Sequence, residues 1–318
     1  MSEAPVSVRV AVLGAGTMAP GIAAAFAAAG HEVVLWSRSA ERARAALERA
    51  TEMAAFLTEH GLAAASGAAG DRIALADELE GVAAAQLVVE AVAEQLAVKR
   101  ELLARVEAVV APDAVLATNT SGLKVSDIAE QLERPERAVA MHFWNPAHLM
   151  PLVEVAGGRA TAPETVDWAM GIARDIGKRP VRLSSEVLGF LGTRMQQAVV
   201  REAIALLEGG VASAEDIDLA VRSSFGVRFP VIGPLESADI SGLDVIEAIH
   251  RYLLPDLDRS SEPQAALTER VAAGDLGTKA GRGFHDWTVR DPAEVVRRRD
   301  DELVRRLRLT AGAEEVTG

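Results

Sequence analysis

The sequence predicts an α/β protein in which a doubly wound parallel sheet is followed by an all-helical domain. Over the first half of the chain, short β-branched apolar runs alternate with helical patterns, which is typical of parallel strands covered by helices on both faces. Beyond residue 188 the sequence offers long helical patterns and few strand candidates. Because 318 residues exceed the usual size of one domain, we predict two domains, residues 1–187 and 188–318, with the boundary between Glu186 and Gly189.

The first domain contains the predicted strands and the helices that connect them. The strands are Val6–Leu13, His31–Trp36, Ile73–Leu75, Gln86–Glu90, Val115–Thr118, Val139–Phe143 and Leu152–Val155. The helices are Met18–Gly30, a helix from Ser39 to about His60, Lys99–Val110, Val125–Leu132 and Glu164–Ile176. Ser39 is predicted to cap its helix, because a serine hydroxyl accepts hydrogen bonds from first-turn N–H groups, and Glu41 lies in that turn.

The second domain is predicted to consist of helices. Its periodic segments are Arg194–Glu208, Ala214–Val221, Gly242–Tyr252 and Gln264–Ala273, and residues 311–318 are expected to form a frayed tail. The apolar positions of Arg194–Glu208 and Gly242–Tyr252 are more numerous than one small domain can bury. These two helices therefore indicate a homodimer formed through the second domain.

Composition and charge exclude several classes of function. The net charge is −13 and no basic block offsets it, which argues against nucleic acid as a partner because that affinity depends on clustered Lys and Arg. Cysteine is absent, so disulfides, thiol catalysis and cysteine-ligated metals are excluded; we predict no metal site and expect a cytoplasmic protein. The N-terminus shows no signal segment and no apolar stretch of membrane-spanning length is visible, so no membrane association is predicted.

The first predicted strand ends in a turn with the pattern G-x-G-x-x-A, formed by Gly14, Gly16 and Ala19. Gly14 permits a tight turn, Gly16 lets the backbone approach a pyrophosphate, and Ala19 allows close helix packing. Thr17 precedes the helix and Met18 begins it, and the free N–H groups and positive dipole at this end of the helix favour phosphate. Because the turn lies between a strand and a helix, it predicts a dinucleotide-binding site, and the fold is therefore of the Rossmann type.

The end of the second strand favours NADP(H) over NAD(H). An NAD enzyme is expected to carry a carboxylate here for the adenosine ribose hydroxyls. This chain has Ser37 and Arg38 instead, a hydroxyl and a guanidinium suited to a 2′-phosphate. NAD(H) remains the alternative, since Arg38 at the start of a helix is also compatible with an ordinary surface charge.

A histidine and a glutamate on successive strands form the candidate catalytic pair. His142 lies near the end of its strand and is followed by Asn145-Pro146, while Glu154 lies on the next strand. Histidine can accept a hydroxyl proton while hydride leaves the same carbon, and a neighbouring carboxylate would fix its tautomer. Behind a dinucleotide-binding turn, this pair predicts a dehydrogenase that acts on a hydroxyl or carbonyl carbon.

The chain resembles the L-3-hydroxyacyl-CoA dehydrogenase family, which also includes lambda-crystallin and L-gulonate 3-dehydrogenase. The matching segments run in family order across nearly the whole chain: GAGTM from Gly14, EAVAEQLAVK from Glu90, TNTSGLKVSDIA from Thr118, MHFWNPAHLMPLVEV from Met141, LGFLGTR from Leu188 and GTKAGRGFHDW from Gly277.

The resemblance implies roles for individual residues. His142 would be the general base or acid, Glu154 its orienting partner, and Ser121 would touch the substrate oxygen and the nicotinamide. The residues implied at the nicotinamide ribose are Glu94, Lys99 and Asn145. The helical domain would complete the substrate cleft and form the dimer interface.

Two departures from the family pattern bear on the substrate. Thr193 stands where family members place an asparagine, and its hydroxyl can donate a hydrogen bond but has a shorter reach and lacks the amide's second donor. The helix after the second strand is lysine-rich in members that act on coenzyme A thioesters, whereas Arg42–His60 has no lysine, although Arg42, Arg44 and Arg49 leave phosphate binding open. These departures favour a small-molecule substrate that is a compact 3-hydroxy or 3-oxo acid.

Alternative functions remain open at this stage. A 3-hydroxyacyl-CoA or carrier-protein-bound acyl substrate is compatible with the same pattern. A non-enzymatic role, as a crystallin-like or redox-sensing dinucleotide-binding protein, is disfavoured by the presence of both His142 and Glu154. A short-chain dehydrogenase needs Tyr-x-x-x-Lys, but the sole tyrosine, Tyr252, has Asp256 at that spacing.

Overall fold

The computed structural model describes residues 7–65 and 67–317. Val6, at the start of the first predicted strand, and Gly318, at the end of the predicted tail, lie outside the described residues. The chain divides into two compact units. One contains the residues up to Thr193 and those from Arg298 onward, and the other is Arg194–Arg297.

The first unit is built on an eight-stranded sheet with the order β3-β2-β1-β4-β5-β6-β7-β8. The strands are β1 (Arg9–Leu13), β2 (Glu32–Trp36), β3 (Ile73–Leu75), β4 (Leu87–Glu90), β5 (Val115–Thr118), β6 (Ala138–Phe143), β7 (Leu152–Gly157) and β8 (Arg179–Leu183). All neighbouring strands are parallel except β6 and β7. These two are antiparallel because the segment between them contains no helix, and a parallel crossover needs a dozen or more residues.

Helices cover both faces of the sheet. They are α1 (Met18–Ala28), α2 (Ala40–Glu59), α3 (Leu96–Glu107), α4 (Val125–Ile128) and α5 (Pro163–Asp175). Alternate strand residues divide between two cores, with Val139, Met141 and Phe143 in one and Ala138 and Ala140 in the other. The predicted Rossmann-type fold is confirmed, and so is the cap of α2, where the Ser39 hydroxyl accepts from Arg42 N at 3.3 Å.

The second unit is helical. Its helices are α6 (Gly192–Glu208), which begins in the first unit, α7 (Ala214–Ser223), α8 (Phe225–Arg228), α9 (Pro234–Ser241), α10 (Leu243–Leu253) and α11 (Ala265–Ala273). Within 194–297, all of which the structure describes, Ile204 is the one buried hydrophobic residue. None of the helices in the described ranges combines the length and apolar character that a bilayer crossing requires.

Two elements differ from the prediction. The expected frayed tail is wrong, because α12 (Pro292–Thr317) continues through it, and Val304 of this helix is buried in the core of the first unit. The charged stretch hides the apolar spacing of Val296, Leu303 and Leu307, which could have revealed the helix. Strand β8 was not predicted because its sequence contains Pro180, which is tolerated at the edge position that β8 occupies.

Candidate active site

Most of the predicted site residues lie at or after the carboxyl ends of five adjacent strands. These strands end at Trp36, Leu13, Glu90, Thr118 and Phe143 in the spatial order β2-β1-β4-β5-β6. Because the five strands are parallel, their carboxyl ends form one edge of the sheet, the edge that binds ligands in doubly wound folds. At about 4.8 Å between strands, this row extends about 19 Å.

The turn after β1 has the geometry of a phosphate-binding loop. Gly14 has φ +131°, and a Cβ atom there would lie 2.5 Å from Ala91 O, so only glycine fits. A Cβ atom on Gly16 would meet nothing within 4 Å, so its backbone faces open space. No side chain caps the N-terminus of α1 at Thr17, and the first turn has no acidic residue. The free N–H groups are therefore available to an anion.

A cavity of about 560 Å³ adjoins this turn. The predicted residues that line it are Gly14, Gly16, Thr17, Met18, Ser37 and Arg38. Arg42, Arg49 and Arg105 line the same cavity, and Glu101 is an acidic lining residue. Arg49 Nη2 donates to Ala15 O at 3.0 Å, so this guanidinium lies against the glycine-containing turn. The cavity wall thus combines backbone N–H groups with several cations, which fits a dinucleotide.

Beyond β4, a buried ammonium joins two carboxylates. Lys99 is 1% exposed, and its Nζ lies 2.8 Å from Glu90 Oε1 and 3.2 Å from Glu94 Oε2. Thr118 Oγ1 donates to Glu90 Oε2 at 2.7 Å, which ties this group to the end of β5. Lys99 is too deeply buried to reach a ligand directly. Glu94 lies between Lys99 and solvent, with 43% of its side chain exposed.

Glu94 in turn holds the loop that follows β5. Its Oε1 accepts from the backbone N–H groups of Ser121 at 2.9 Å and Gly122 at 3.2 Å, and from the hydroxyl of Thr120. Burial acts to raise the pKa of Glu94, but the hydrogen bonds from Thr120 and Ser121 and the charge of Lys99 lower it below its ordinary value. Glu94 is therefore ionised. The hydrogen bond from the backbone N–H of Ser121 to Glu94 holds this residue in place, and Ser121 is exposed.

His142 and Glu154 are directly opposite each other on β6 and β7. His142 Nδ1 lies 2.9 Å from Glu154 Oε2, and both residues are buried. The ring of Phe190 stacks on the imidazole with centroids 5.0 Å apart. Phe190 adopts φ +50°, an uncommon conformation for a residue other than glycine. Its stacked ring places the segment before α6 against the histidine.

Glu154 is fully buried, and its carboxylate accepts four hydrogen bonds. Oε2 accepts from His142 Nδ1 and from Trp144 Nε1 at 3.0 Å, while Oε1 accepts from the N–H groups of Leu191 at 2.7 Å and Gly192 at 3.0 Å. Burial acts to raise the pKa of this carboxyl, but these hydrogen bonds lower it to about 2. Glu154 is therefore ionised at neutral pH, and Nδ1 of His142 must be the donor in their hydrogen bond.

Asn145 lies between His142 and Glu154 in sequence, and Thr193 follows both. Asn145 follows β6 by two residues and is exposed, whereas Thr193 lies in the first turn of α6 and is half-buried. Glu90, Trp144 and Phe190 contact the site but were not predicted. The position of Glu90 at the end of an apolar strand was a signal, since a carboxylate there must find a partner. Nothing in the sequence indicated the contacts of the two aromatic rings.

Lys178 is a second buried cation that was not predicted. Its Nζ donates to the carbonyl oxygens of Ala147 at 2.7 Å, Met150 at 3.0 Å and His148 at 3.3 Å. It therefore holds the loop that follows Asn145. Burial lowers the pKa of Lys178 to about 7. The signal was its identity as one of only four lysines in the chain.

The fold and the site together define a dehydrogenase that uses a nicotinamide dinucleotide and acts on CH–OH groups. Residues 9–187 match the family model described as 3-hydroxyacyl-CoA dehydrogenase, NAD binding domain. Residues 189–287 match the model described as 3-hydroxyacyl-CoA dehydrogenase, C-terminal domain. The chain belongs to the 3-hydroxyacyl-CoA dehydrogenase family, as its sequence motifs predicted.

Similar proteins include several with assigned reactions. The chain is 33% identical to 5-formyl-3-hydroxy-2-methylpyridine 4-carboxylate 5-dehydrogenase of Mesorhizobium japonicum, over 96% of this chain and 99% of that protein. It is 36% identical to L-carnitine dehydrogenase of Streptomyces coelicolor, over 96% of each. It is 37% identical to a probable 3-hydroxybutyryl-CoA dehydrogenase of Bacillus subtilis, over 88% of this chain and 97% of that one.

A solved structure is similar over the same length. The crystal structure of a 5-formyl-3-hydroxy-2-methylpyridine 4-carboxylic acid 5-dehydrogenase, described as an NAD+-dependent dismutase, matches with a TM-score of 0.88 and 32% identity. The match covers 96% of this chain and 99% of that one. This chain is accordingly a 3-hydroxyacyl-CoA dehydrogenase-like oxidoreductase.

Proposed function

We propose that the chain interconverts the hydroxyl and carbonyl forms of carbon 3 in a compact free acid, with His142 as the proton-transfer residue. The observation that carries this proposal is the hydrogen bond between His142 Nδ1 and the ionised carboxylate of Glu154, at 2.9 Å. With its proton on Nδ1, the imidazole presents an unprotonated Nε2, the atom that can accept a hydroxyl proton.

The residues of the pair then act in a defined sequence. During alcohol oxidation, Nε2 of His142 takes the hydroxyl proton as the C–O bond becomes a carbonyl, and Glu154 stabilises the imidazolium that forms. During reduction, the imidazolium returns that proton to the carbonyl oxygen. When bound, the nicotinamide ring accepts or supplies the hydride at the same carbon.

The remaining predicted residues are assigned to binding. Ser121 and Asn145 are exposed next to the ends of β5 and β6, so we assign them to the substrate oxygen and the nicotinamide ribose. Glu94 would accept from the ribose hydroxyls, and Lys99 would act through Glu94 because it is itself buried. Thr193 supplies a hydroxyl in the first turn of α6, where it can donate a hydrogen bond to the carbonyl oxygen.

The cofactor favoured by the cavity is NADP(H). Ser37 and Arg38 occupy the position where a carboxylate would receive the ribose of NAD, and Arg42 lines the same cavity. Guanidinium groups are suited to bidentate hydrogen bonds with a 2′-phosphate. A similar structure is described as NAD+-dependent, so the preference has to be measured on this chain.

The measurement is kcat/KM for NADPH against NADH, in the wild type and in the double variant Ser37→Asp with Arg38→Gln. We expect the wild type to prefer NADPH and the double variant to lose most of its NADPH activity, because the new carboxylate repels the phosphate. The single change Arg44→Gln is the matched control, since Arg44 lies on the same helix but does not line the cavity. A clear preference of the wild type for NADH would contradict the cofactor proposal.

Three observations support a free acid over a coenzyme A thioester. The helix α2 carries no lysine, and its Arg42 and Arg49 line the dinucleotide cavity. The net charge of −13 would repel the phosphates of coenzyme A unless a further basic cluster met them. Similar proteins include dehydrogenases named for carnitine and for a pyridine carboxylate beside those named for coenzyme A thioesters, so substrates other than thioesters occur among them.

The substrate proposal is tested by turnover of acetoacetyl-CoA against short free 3-oxo acids, at equal concentration and low salt. We expect the free acids to be the better substrates. A preference for the thioester of a hundredfold or more, about 2.7 kcal/mol in transition-state binding, would mean that the coenzyme is recognised. In that case the chain is a 3-hydroxyacyl-CoA dehydrogenase proper, or one that acts on a carrier-bound acyl group.

We further propose that the second unit forms a homodimer. Its helices α7 to α11 contain no buried residue. The exposed large apolar side chains of this unit include Leu235 of α9 at 82%, Tyr252 of α10 at 69%, and Val231, between α8 and α9, at 83%. Monomers rarely leave so much apolar surface in water. A second copy of the chain is the occupant that the family resemblance favours.

A further inference from the structure

The carboxylate of Glu154 has a second side-chain partner besides the catalytic histidine. Trp144 Nε1 donates to Glu154 Oε2 at 3.0 Å, on the same oxygen that accepts from His142 Nδ1 at 2.9 Å. Indole has one N–H and can only donate. A phenylalanine in its place would fill most of the volume but would leave Oε2 with one donor fewer.

The indole ring is held in place by the backbone before α6. A Cβ atom added at Gly192 would lie 2.5 Å from Cζ2 and 3.2 Å from Cε2 of Trp144, so the glycine backbone lies directly against the ring. The N–H of Gly192 also donates to the other oxygen of Glu154, at 3.0 Å. Trp144 and Gly192 therefore contact each other and the same carboxylate.

We propose that Trp144 is a positioning residue for the proton-transfer pair: its indole N–H, held in place by Gly192, fixes the orientation of Glu154 and limits how strongly Glu154 attracts the proton of His142. This inference rests on the proposed role of His142. Two donors share the electron density of Oε2, so each hydrogen bond is weaker than it would be alone. The imidazole can then both take up and release a proton in the reversible reaction.

The test is the pH dependence of kcat/KM for alcohol oxidation in the variant Trp144→Phe. Without the indole donor, Glu154 attracts the imidazolium more strongly, so we expect the acid limb to move to higher pH. A shift of about half to one pH unit and a fall in kcat of about tenfold are on the scale of one charge-assisted hydrogen bond. The Kd of the dinucleotide should stay within about threefold, because Trp144 does not line that cavity.

A merely structural role predicts a different result. Loss of packing would lower kcat and the melting temperature without moving the acid limb, and that outcome would overturn the proposal. A profile and a kcat that both match the wild type within twofold would also overturn it. His142→Asn, assayed in parallel, distinguishes failure of the proposed function from failure of this inference. Normal turnover in His142→Asn would refute the proposed function. If His142→Asn loses turnover but the pH profile of Trp144→Phe does not shift, only the role of Trp144 is refuted.

A second variant tests the glycine. Gly192→Ala should displace the indole ring and reproduce the shift of the acid limb, while the tryptophan itself is retained. Gly171→Ala is the matched control, because Gly171 lies in α5 and a Cβ atom there would meet nothing within 4 Å. We expect the control to keep the wild-type profile. A shift in Gly171→Ala as large as that in Gly192→Ala would overturn the argument.

Discussion

Replacing Glu154 by glutamine removes one charge from the site without changing its volume. The carboxylate accepts four hydrogen bonds, two from backbone N–H groups and two from side chains. An amide has one oxygen and one NH2 group, so it cannot accept all four. Because the backbone donors of Leu191 and Gly192 are fixed, the amide oxygen should turn to them, and the NH2 group should face His142.

The consequence is the wrong tautomer of the histidine. To accept from the amide, Nδ1 must lose its proton, and the proton then resides on Nε2, the atom proposed to accept from substrate. A comparable carboxylate-to-amide change beside a catalytic histidine costs about four orders of magnitude in kcat. We therefore expect Glu154→Gln to lower kcat by about 10³- to 10⁴-fold, with dinucleotide affinity almost unchanged, since Glu154 does not line that cavity.

The same change should alter how the free energy of unfolding depends on pH. The hydrogen bonds hold the pKa of Glu154 at about 2, against an ordinary value of 4.5. The folded state therefore gains about 3 kcal/mol from this carboxylate above pH 4.5, and the gain is lost as the pH falls toward 2. In Glu154→Gln this acid-sensitive part of the stability should be absent.

Steady-state kinetics with a fluorescence titration of the dinucleotide measure the first effect, and urea unfolding at pH 6, 4 and 3 measures the second. Glu164→Gln is the matched control, because Glu164 lies in the first turn of α5, away from the site. A kcat for Glu154→Gln within tenfold of the wild type would refute the role assigned to the carboxylate. If Glu154→Gln lost as much stability between pH 6 and pH 3 as the wild type does, the lowered pKa of Glu154 would be refuted.

Three further predictions follow from the structure. Gly16→Ala should weaken dinucleotide binding while leaving the melting temperature unchanged, whereas Gly14→Ala should lower both, because only Gly14 is crowded by the protein and has a positive φ; equal melting temperatures in the two variants would contradict this. Burial lowers the pKa of Lys178 from 10.5 to about 7, so the unfolded chain binds more protons between these values and stability rises with pH. In urea unfolding, the free energy of unfolding of the wild type should rise by about 2 kcal/mol from pH 7 to pH 9, and Lys178→Met should lack this rise. The same pH dependence in both proteins would refute the lowered pKa of Lys178. Sedimentation should give a dimer at micromolar concentration, and a monomer there would contradict the proposed interface.

The sheet and the turn after β1 could be predicted because local rules decide them. Val10 to Leu13 is a buried apolar run, and Gly14 meets a steric limit that only glycine satisfies, so residue type alone carries the information. The pairing of His142 with Glu154 was also within reach, since successive strands bring such residues together. The antiparallel direction of β7 and the direct cross-strand register were not visible in the sequence.

The missed features depend on contacts between distant segments. Trp144 donates to Glu154 across 10 positions, and Leu191 donates to it across 37. No local pattern records which indole or backbone N–H will find a buried carboxylate. The helix α12 was missed for a related reason: its charged surface dominates the pattern, while Val304 is buried in a core whose other members lie between Val8 and Ile176.

The central claim is that His142 transfers the proton in a hydride-transfer reaction, and kcat of His142→Asn tests it most directly. Asparagine keeps a polar side chain but cannot act as a base near neutral pH. We expect kcat to fall by about two to four orders of magnitude while the Kd of the dinucleotide hardly changes, because a positioned acid–base group contributes on that scale. Near-normal turnover in this variant would contradict the account.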